Sequence, residues 1–210
     1  MMKMKNLLLC AAVAGLMAGT SSAGEAKAPA KAEASTLENL QTAYDGETNA
    51  KTRYEAFAAK AEAEGYLGAA SLFKAAALSE SIHAAKHAKA LEAMGATPKA
   101  ELKTPVVKAT RENLKEALKG ENHESKKMYP AFLKKAEADK NQQAIYSFKG
   151  AMAAEKMHAR FFAKALADLK DWKAKKKFIV CQTCGYTTMD LSLKTCPVCS
   201  QPREQFKEVE

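Results

Sequence analysis

Two stretches of this chain repeat one arrangement of glutamate and histidine. Gly46-Glu47 is followed by Glu80-Ser81-Ile82-His83, and Gly120-Glu121 is followed by Glu155-Lys156-Met157-His158. The gap between the paired glutamates is 33 residues in the first stretch and 34 in the second. Tyr54 lies seven residues after Glu47, and Tyr129 eight after Glu121. The second stretch adds Glu124, three residues after Glu121. Residues three apart share a helix face, so Glu80 with His83, Glu121 with Glu124, and Glu155 with His158 each point one way. The host segment, 36–172, is rich in Ala, Glu, Lys and Leu and poor in β-branched residues, which favours helix. The pattern predicts helices over about 36–64, 67–94, 106–137 and 141–171. Gly65 and Gly95 end the first two, and Pro130 should kink the third.

The first and last connections are short, so the helices form two antiparallel hairpins. The link from Ala96 to Pro105 has ten residues. It can reach ~35 Å, enough to run much of the length of a bundle. A four-helix bundle with one crossover brings Glu47, Glu80, Glu121, Glu124 and Glu155 together with His83 and His158 at its middle. Five carboxylates buried without cations would be very costly, and a pair of divalent metals removes that cost. A glutamate from each of two helices plus Glu-x-x-His from each of the other two is the di-iron carboxylate pattern. One isolated Glu-x-x-His is ordinarily a solvated helix face; its return in register with a matching Gly-Glu argues otherwise. His123 falls off the shared face and should be exposed. His87, four residues after His83, either backs the cluster or lies at the surface. Tyr54 and Tyr129 are either ordinary core aromatics or hydrogen-bond donors to the ligand carboxylates.

Four of the five cysteines lie in the last thirty residues, as Cys181-x-x-Cys184 and Cys196-x-x-Cys199. Each pair puts two thiolates on one tight turn, and two such turns facing each other make a tetrahedral sulfur cage. The spacing argues for a metal knuckle over disulfides. It suits zinc or iron, structural zinc being the simpler occupant on spacing alone. Gly185 after the first pair permits positive φ, so that backbone N–H groups can face the sulfurs. Phe178-Ile179-Val180 and Glu208-Val209 read as short strands closing a mini-sheet. So small a unit cannot bury enough core alone, so the metal must supply much of its fold.

Ahead of the helices, Lys3 and Lys5 precede an apolar stretch, Leu7–Ala18, and the small residues Thr20-Ser21-Ser22-Ala23. This layout predicts a cleavable export signal over 1–23, with cleavage after Ala23 and a periplasmic mature protein. Residues 24–35 read as an Ala/Lys/Pro tether. No apolar run is long enough to anchor the mature chain in a bilayer. The net charge is +9, or +7 once Lys3 and Lys5 are removed. The lysines are spread along the chain, without a basic stripe interleaved with aromatics, which argues against nucleic-acid binding.

A bundle carrying Glu-x-x-His twice, followed by C-x-x-C-G-Y and C-P-x-C, resembles rubrerythrin. The match covers about 36–207 and includes Gly46-Glu47 with Arg53-Tyr54, Met128-Tyr129-Pro130 and all four cysteines. The resemblance implies a mainly α fold: a ferritin-like four-helix bundle over 36–172 with a small C-terminal rubredoxin-like β domain over 178–210. It implies a di-iron centre in the bundle, one iron in the four-cysteine site, and a peroxidase that reduces hydrogen peroxide to water in defence against oxidative stress. Glu47, Glu80, Glu121, Glu124, Glu155, His83, His158, Cys181, Cys184, Cys196 and Cys199 would be metal ligands. Glu80 and Glu155 would bridge the irons, His83 and Glu124 would alternate on one iron with redox state, and Tyr54 and Tyr129 would hydrogen-bond the ligands. Glu47, Glu80, Glu124, His83, Tyr54 and Tyr129 are thus the candidate catalytic residues. It also implies a homodimer in which one subunit's tail lies near the partner's di-iron site. The better-known relatives lack an export signal and use cytoplasmic donors, so an exported form needs a periplasmic redox donor protein, a cytochrome or a rubredoxin. The alternatives from the same residues are a ferroxidase or iron-handling protein, an electron carrier, and a zinc-stabilised binding protein.

Overall fold

The computed structural model describes residues 34–210. The expected leader, and the tether up to residue 33, lie outside the described residues. Five α-helices come first: α1 (Thr36–Ala63), α2 (Leu67–Ala93), α3 (Thr110–His123), α4 (Tyr129–Ala138) and α5 (Gln142–Ala167). A three-stranded antiparallel sheet follows, β1 (Phe178–Cys181), β2 (Thr187–Thr188) and β3 (Phe206–Val209), in the order β2-β1-β3. The strands expected at 178–180 and 208–209 are present and pair Phe178 with Val209 and Ile179 with Glu208. Thr187-Thr188, too short to read from sequence, adds the third strand against Val180 and Ile179. Among the described residues, no helix is long and apolar enough to cross a membrane.

Local chemistry sets the helix ends. Ser35 and Glu38 form a reciprocal capping box at the start of α1, and the Asn141 side chain accepts from Ala144 N–H at the start of α5. Gly65 and Gly95 follow α1 and α2 with φ of 77° and 75°. There the chain reverses with Tyr66 N–H bonded to the Ala61 carbonyl and Ala96 N–H to that of Leu91.

The four long rods bury one polar layer between two apolar ones. Along α1 the order is Leu40 and Ala43, then Glu47, then Ala50 to Ala61. Along α2 it reverses: Ala69 to Ala77, then Glu80, His83 and His87, then Ala90 and Leu91. The α3–α4 rod runs as α2 does, from Leu114 past Glu121 to Tyr129, and α5 runs as α1 does, from Phe148 past Glu155 and His158 to Phe162. Two consecutive rods therefore run the same way, which requires one connection the full length of the bundle. That connection follows α2 and lies along α1, where Gln41, Asp45 and Asn49 hydrogen-bond the backbone of Lys99, Glu101 and Lys103. It is longer than the sequence suggests. The helix expected from 106 begins at Thr110, and Val106 and Val107 stay exposed in the crossover.

The third rod is also not continuous. Between α3 and α4 the residues Glu124–Met128 form a π turn, and Tyr129 N–H reaches back five residues to the Glu124 carbonyl. The break precedes Pro130, which sits in the first turn of α4 where its missing N–H costs nothing. A π turn holds one residue more than an α turn. This accounts for the eight-residue gap from Glu121 to Tyr129 against seven from Glu47 to Tyr54. The last helix is shorter than expected. It stops at Ala167, and Asp168 caps a 3-10 turn over Leu169–Trp172.

No side chain of its own segment caps α3; Glu64, just past α1, does so from across the bundle, accepting from Thr110 N–H at 2.9 Å. These bonds hold the Glu64 carboxyl down at about 2, below the usual 4.5. A pKa lowered by folding stabilises the fold above the ordinary value and ceases to as pH falls through the lowered one. Glu64→Gln should therefore lower Tm by ~2 °C at pH 7. In thermal melts the gap to the parent protein should narrow steadily as pH falls from 4.5 towards 2.

Candidate metal centres

The polar layer of the bundle is a closed box. Glu47, Glu80, Glu121, Glu155, His83 and His158 are each no more than 2% exposed. Their ligand atoms form two groups that share two members. Glu47, Glu80, Glu155 and His83 make one, and Glu121, Glu80, Glu155 and His158 make the other. Within the box, His83 Nδ1 lies 2.9 Å from Glu80 Oε2 and 3.0 Å from Glu155 Oε1. His158 Nδ1 lies 2.9 Å from Glu155 Oε2 and 3.3 Å from Glu80 Oε1. Glu80 and Glu155 thus present one oxygen to each side, the arrangement of bridging ligands, while Glu47 and Glu121 each serve one side.

The donor set fits a pair of divalent cations. Glu47 Oε2, Glu121 Oε2, both Glu155 oxygens and His158 Nδ1 are buried without a hydrogen-bond donor or acceptor of their own. Buried acceptors left this way are costly unless a cation takes them up. Burial pushes the Glu47 and Glu121 carboxyls up, with repulsion from neighbouring carboxylates adding to it. For His83 and His158 burial pulls the other way, but the surrounding carboxylates win and raise both.

Tyrosines orient the two single-sided carboxylates. Tyr54 donates to Glu121 Oε1 at 2.6 Å, and Tyr129 donates to Glu47 Oε1. Each tyrosine therefore serves the glutamate of the opposite repeat. His87 is fully buried and backs the cluster, its Nε2 3.0 Å from the Tyr129 hydroxyl. Ser147, which carries no signal in the sequence, donates to His87 Nδ1 at 2.8 Å. His123 is exposed, as its helix position predicts.

Glu124 falls outside both ligand groups. It opens the π turn, half-buried, and its carboxyl is pushed up to about 8 by burial and by Glu155 and Glu80, against the pull of Arg53 and His83. His83, and not Glu124, faces the glutamates here, which is one of the two arrangements the resemblance implies.

The cysteine site is a second closed set. Cys181 and Cys199 have sulfurs 3.6 Å apart, as do Cys184 and Cys196, and the four sulfurs lie within 4.8 Å of one another. Disulfide sulfurs would be about 2.05 Å apart, so these are four free thiols around one point. The residue after each pair has positive φ, Gly185 at 80° and Ser200 at 59°. Gly185 was expected there; Ser200 was not, because nothing but its place in the knuckle marks it.

The two sites touch. His83 Nε2 donates to the Cys184 carbonyl at 3.2 Å, and Ser79 donates to the Gly185 carbonyl at 2.7 Å. His158 Nε2 donates to Thr187 Oγ1 at 3.1 Å. The knuckle therefore holds both imidazoles with hydrogen on Nε2 and leaves each Nδ1 lone pair for a metal. The expectation placed the tail on a partner's bundle; here the chain's own tail covers its own cluster. Trp172 and Phe178, both buried in the bundle's aromatic core, flank the short connector and fix it there.

The rubrerythrin family description matches residues 38–166. The chain belongs to the rubrerythrin family. A second description, the rubredoxin-like domain of rubrerythrin, matches residues 180–207. Nigerythrin from Nitratidesulfovibrio vulgaris is 37% identical over 82% of this chain and 85% of its own length. Rubrerythrin-2 from Clostridium acetobutylicum is 35% identical over 83% of this chain and 96% of its own. Fully reduced, all-ferrous nigerythrin superimposes with a TM-score of 0.78 at 35% identity, covering 85% of this chain and 88% of that one. The fold is accordingly a ferritin-like bundle with a rubredoxin-like knuckle, and its metal sites are a di-iron centre and a four-cysteine iron site.

Gly185 packs directly against His83 and Ser79. A Cβ there would run into the His83 ring and the Ser79 hydroxyl, at a φ that L side chains rarely adopt. Gly185→Ala should destabilise the fold by ~1–3 kcal/mol. It should keep the red iron–thiolate colour while slowing recolouring of the reduced protein by oxidant about tenfold or more, as the Cys184–His83 hydrogen bond opens. Denaturant melts and stopped-flow absorbance read the two effects.

Proposed function

We propose that this chain is an exported, rubrerythrin-type non-haem peroxidase that reduces hydrogen peroxide to water and protects against oxidative stress. The observation that carries the reading is that Cys184 belongs to both sites. Its sulfur is one of the four knuckle thiols, and its carbonyl accepts from His83, whose other nitrogen faces the bundle glutamates. An iron-storage bundle has no use for an electron inlet seated on its metal box, and a simple carrier has no use for the box.

When bound, the di-iron centre supplies the two electrons that break the O–O bond, and the four-cysteine iron supplies one-electron replacements. The protein does the rest. Glu80 and Glu155, which belong to both ligand groups, would hold the two metals together. Tyr54 and Tyr129 hold Glu121 and Glu47 in place through their hydroxyl hydrogens. The closed walls keep bulk water out, which strengthens each of these interactions. Glu124, whose carboxyl feels both Arg53 and His83, would replace His83 when the redox state changes. A homodimer and a periplasmic donor, a small cytochrome or a rubredoxin, complete the proposal. Export rests on the 1–23 pattern, so the mature protein isolated from periplasm should begin at Gly24 by intact mass.

Glu155→Ala tests the site. Removing a ligand of both metals should cut iron from three atoms per chain towards one, with the red colour intact. Peroxide turnover should fall by more than the ~100-fold typical of losing a residue that only hydrogen-bonds a ligand. Full turnover in the variant would remove the assignment.

A further inference from the structure

Peroxide reduction, the reading on which this inference rests, consumes protons as well as electrons: H2O2 with two electrons and two protons gives two waters. The electrons enter through the knuckle. The protons need another way in, because the ligand box is no more than 2% exposed and Cys184, Gly185 and Thr187 cover the histidine side.

One chain of hydrogen bonds leads out on the Glu47 side. Tyr129 gives its hydroxyl hydrogen to Glu47 Oε1. Its oxygen can then only accept, so His87 Nε2, 3.0 Å away, carries the hydrogen between them. A neutral ring with hydrogen on Nε2 has a bare Nδ1, and Ser147 Oγ donates to it at 2.8 Å. Every member thus donates inward, towards the cluster. Phe148 and the Tyr129 ring pack on His87, with ring centroids at 5.5 and 5.9 Å, and shield the middle of the chain from water. Its outer end is different. Ser147 is 5% exposed and forms part of the wall of an open surface cavity of about 410 Å³, with Lys86, Lys89, Gln142, Gln143 and Tyr146.

We propose that Ser147, His87 and Tyr129 are the proton inlet of the di-iron site, filled from water in this cavity. The Tyr129 hydroxyl proton leaves on the Glu47 side. The His87 Nε2 proton replaces it, the Ser147 proton moves to His87 Nδ1, and a cavity water restores the serine. One proton enters for each delivered, and no member keeps a charge. Each hop leaves the chain pointing outward, and rotation of the two hydroxyls with a turn of the His87 ring restores its inward direction before the second proton of the turnover follows.

The test uses the full-length, iron-loaded chain, reduced without oxygen and mixed with hydrogen peroxide in H2O and in D2O. His87→Gln can keep hydrogen bonds to Tyr129 and Ser147 but cannot pass a proton through a ring. It should lower kcat about tenfold or more, raise the solvent isotope effect and leave the peroxide dependence unchanged. Ser147→Ala, at the cavity, should act in the same direction, and it carries the test if the His87 variant folds poorly. A second readout needs no turnover. In zinc-loaded protein with 15N-labelled histidine, His87 should be neutral with hydrogen on Nε2, and that hydrogen should exchange with D2O faster than those of His83 and His158. Wild-type kinetics in His87→Gln, or a His87 hydrogen on Nδ1, would overturn the inlet. A wild-type protein inert to peroxide would overturn the peroxidase reading instead, and the exchange measurement would still decide the proton path.

Discussion

Four glutamates and two histidines face one another in a layer that water does not reach, with apolar side chains above and below. Unpaired, such a layer would unfold the bundle or force most of its acids to stay protonated. Two cations turn the same layer into a cross-link between four helices. The rest of the architecture serves that exchange. The helix directions bring the two repeats into register, the crossover makes those directions possible, and the tyrosines turn the glutamates so that their free oxygens face inward.

The knuckle completes the layer. Both histidines need a hydrogen-bond acceptor on Nε2 if Nδ1 is to face the metals, and the bundle offers only the Ser79 hydroxyl, 3.4 Å from His83. Cys184 and Thr187 of the rubredoxin-like unit supply an acceptor to each. The small unit therefore sets the tautomers of the large one, and in the proposed function it is also the source of its electrons. The π turn plays a comparable part on the opposite side. Its extra residue places Tyr129 against Glu47 and leaves Glu124 at the edge of the box.

Much of this was legible in the sequence because it depends on spacing. Glu-x-x-His and C-x-x-C fix geometry locally, so the ligand set, the two units and the helix directions could be read without coordinates. The one-residue mismatch between the repeats was visible too, and the π turn is its physical meaning. What could not be read depends on contacts between distant segments. Ser147 and Thr187 are ordinary residues until folding sets them beside His87 and His158. Which of His83 and Glu124 faces the other ligands is likewise set by folding: here it is His83, and the π turn leaves Glu124 outside both groups. The crossover runs past its expected end through the β-branched and exposed Val106 and Val107, and the cap that starts α3 comes from Glu64, which is distant in sequence.

The central claim is that the two metal sites of one assembly work as a single redox unit with a preference for peroxide. Stopped-flow absorbance of the fully reduced protein, mixed with hydrogen peroxide or with dioxygen, tests it most directly. The account predicts that the red iron–thiolate colour returns much faster with peroxide, at a rate independent of protein concentration. Slow recolouring with both oxidants, or a rate that rises in proportion to protein concentration, would contradict it.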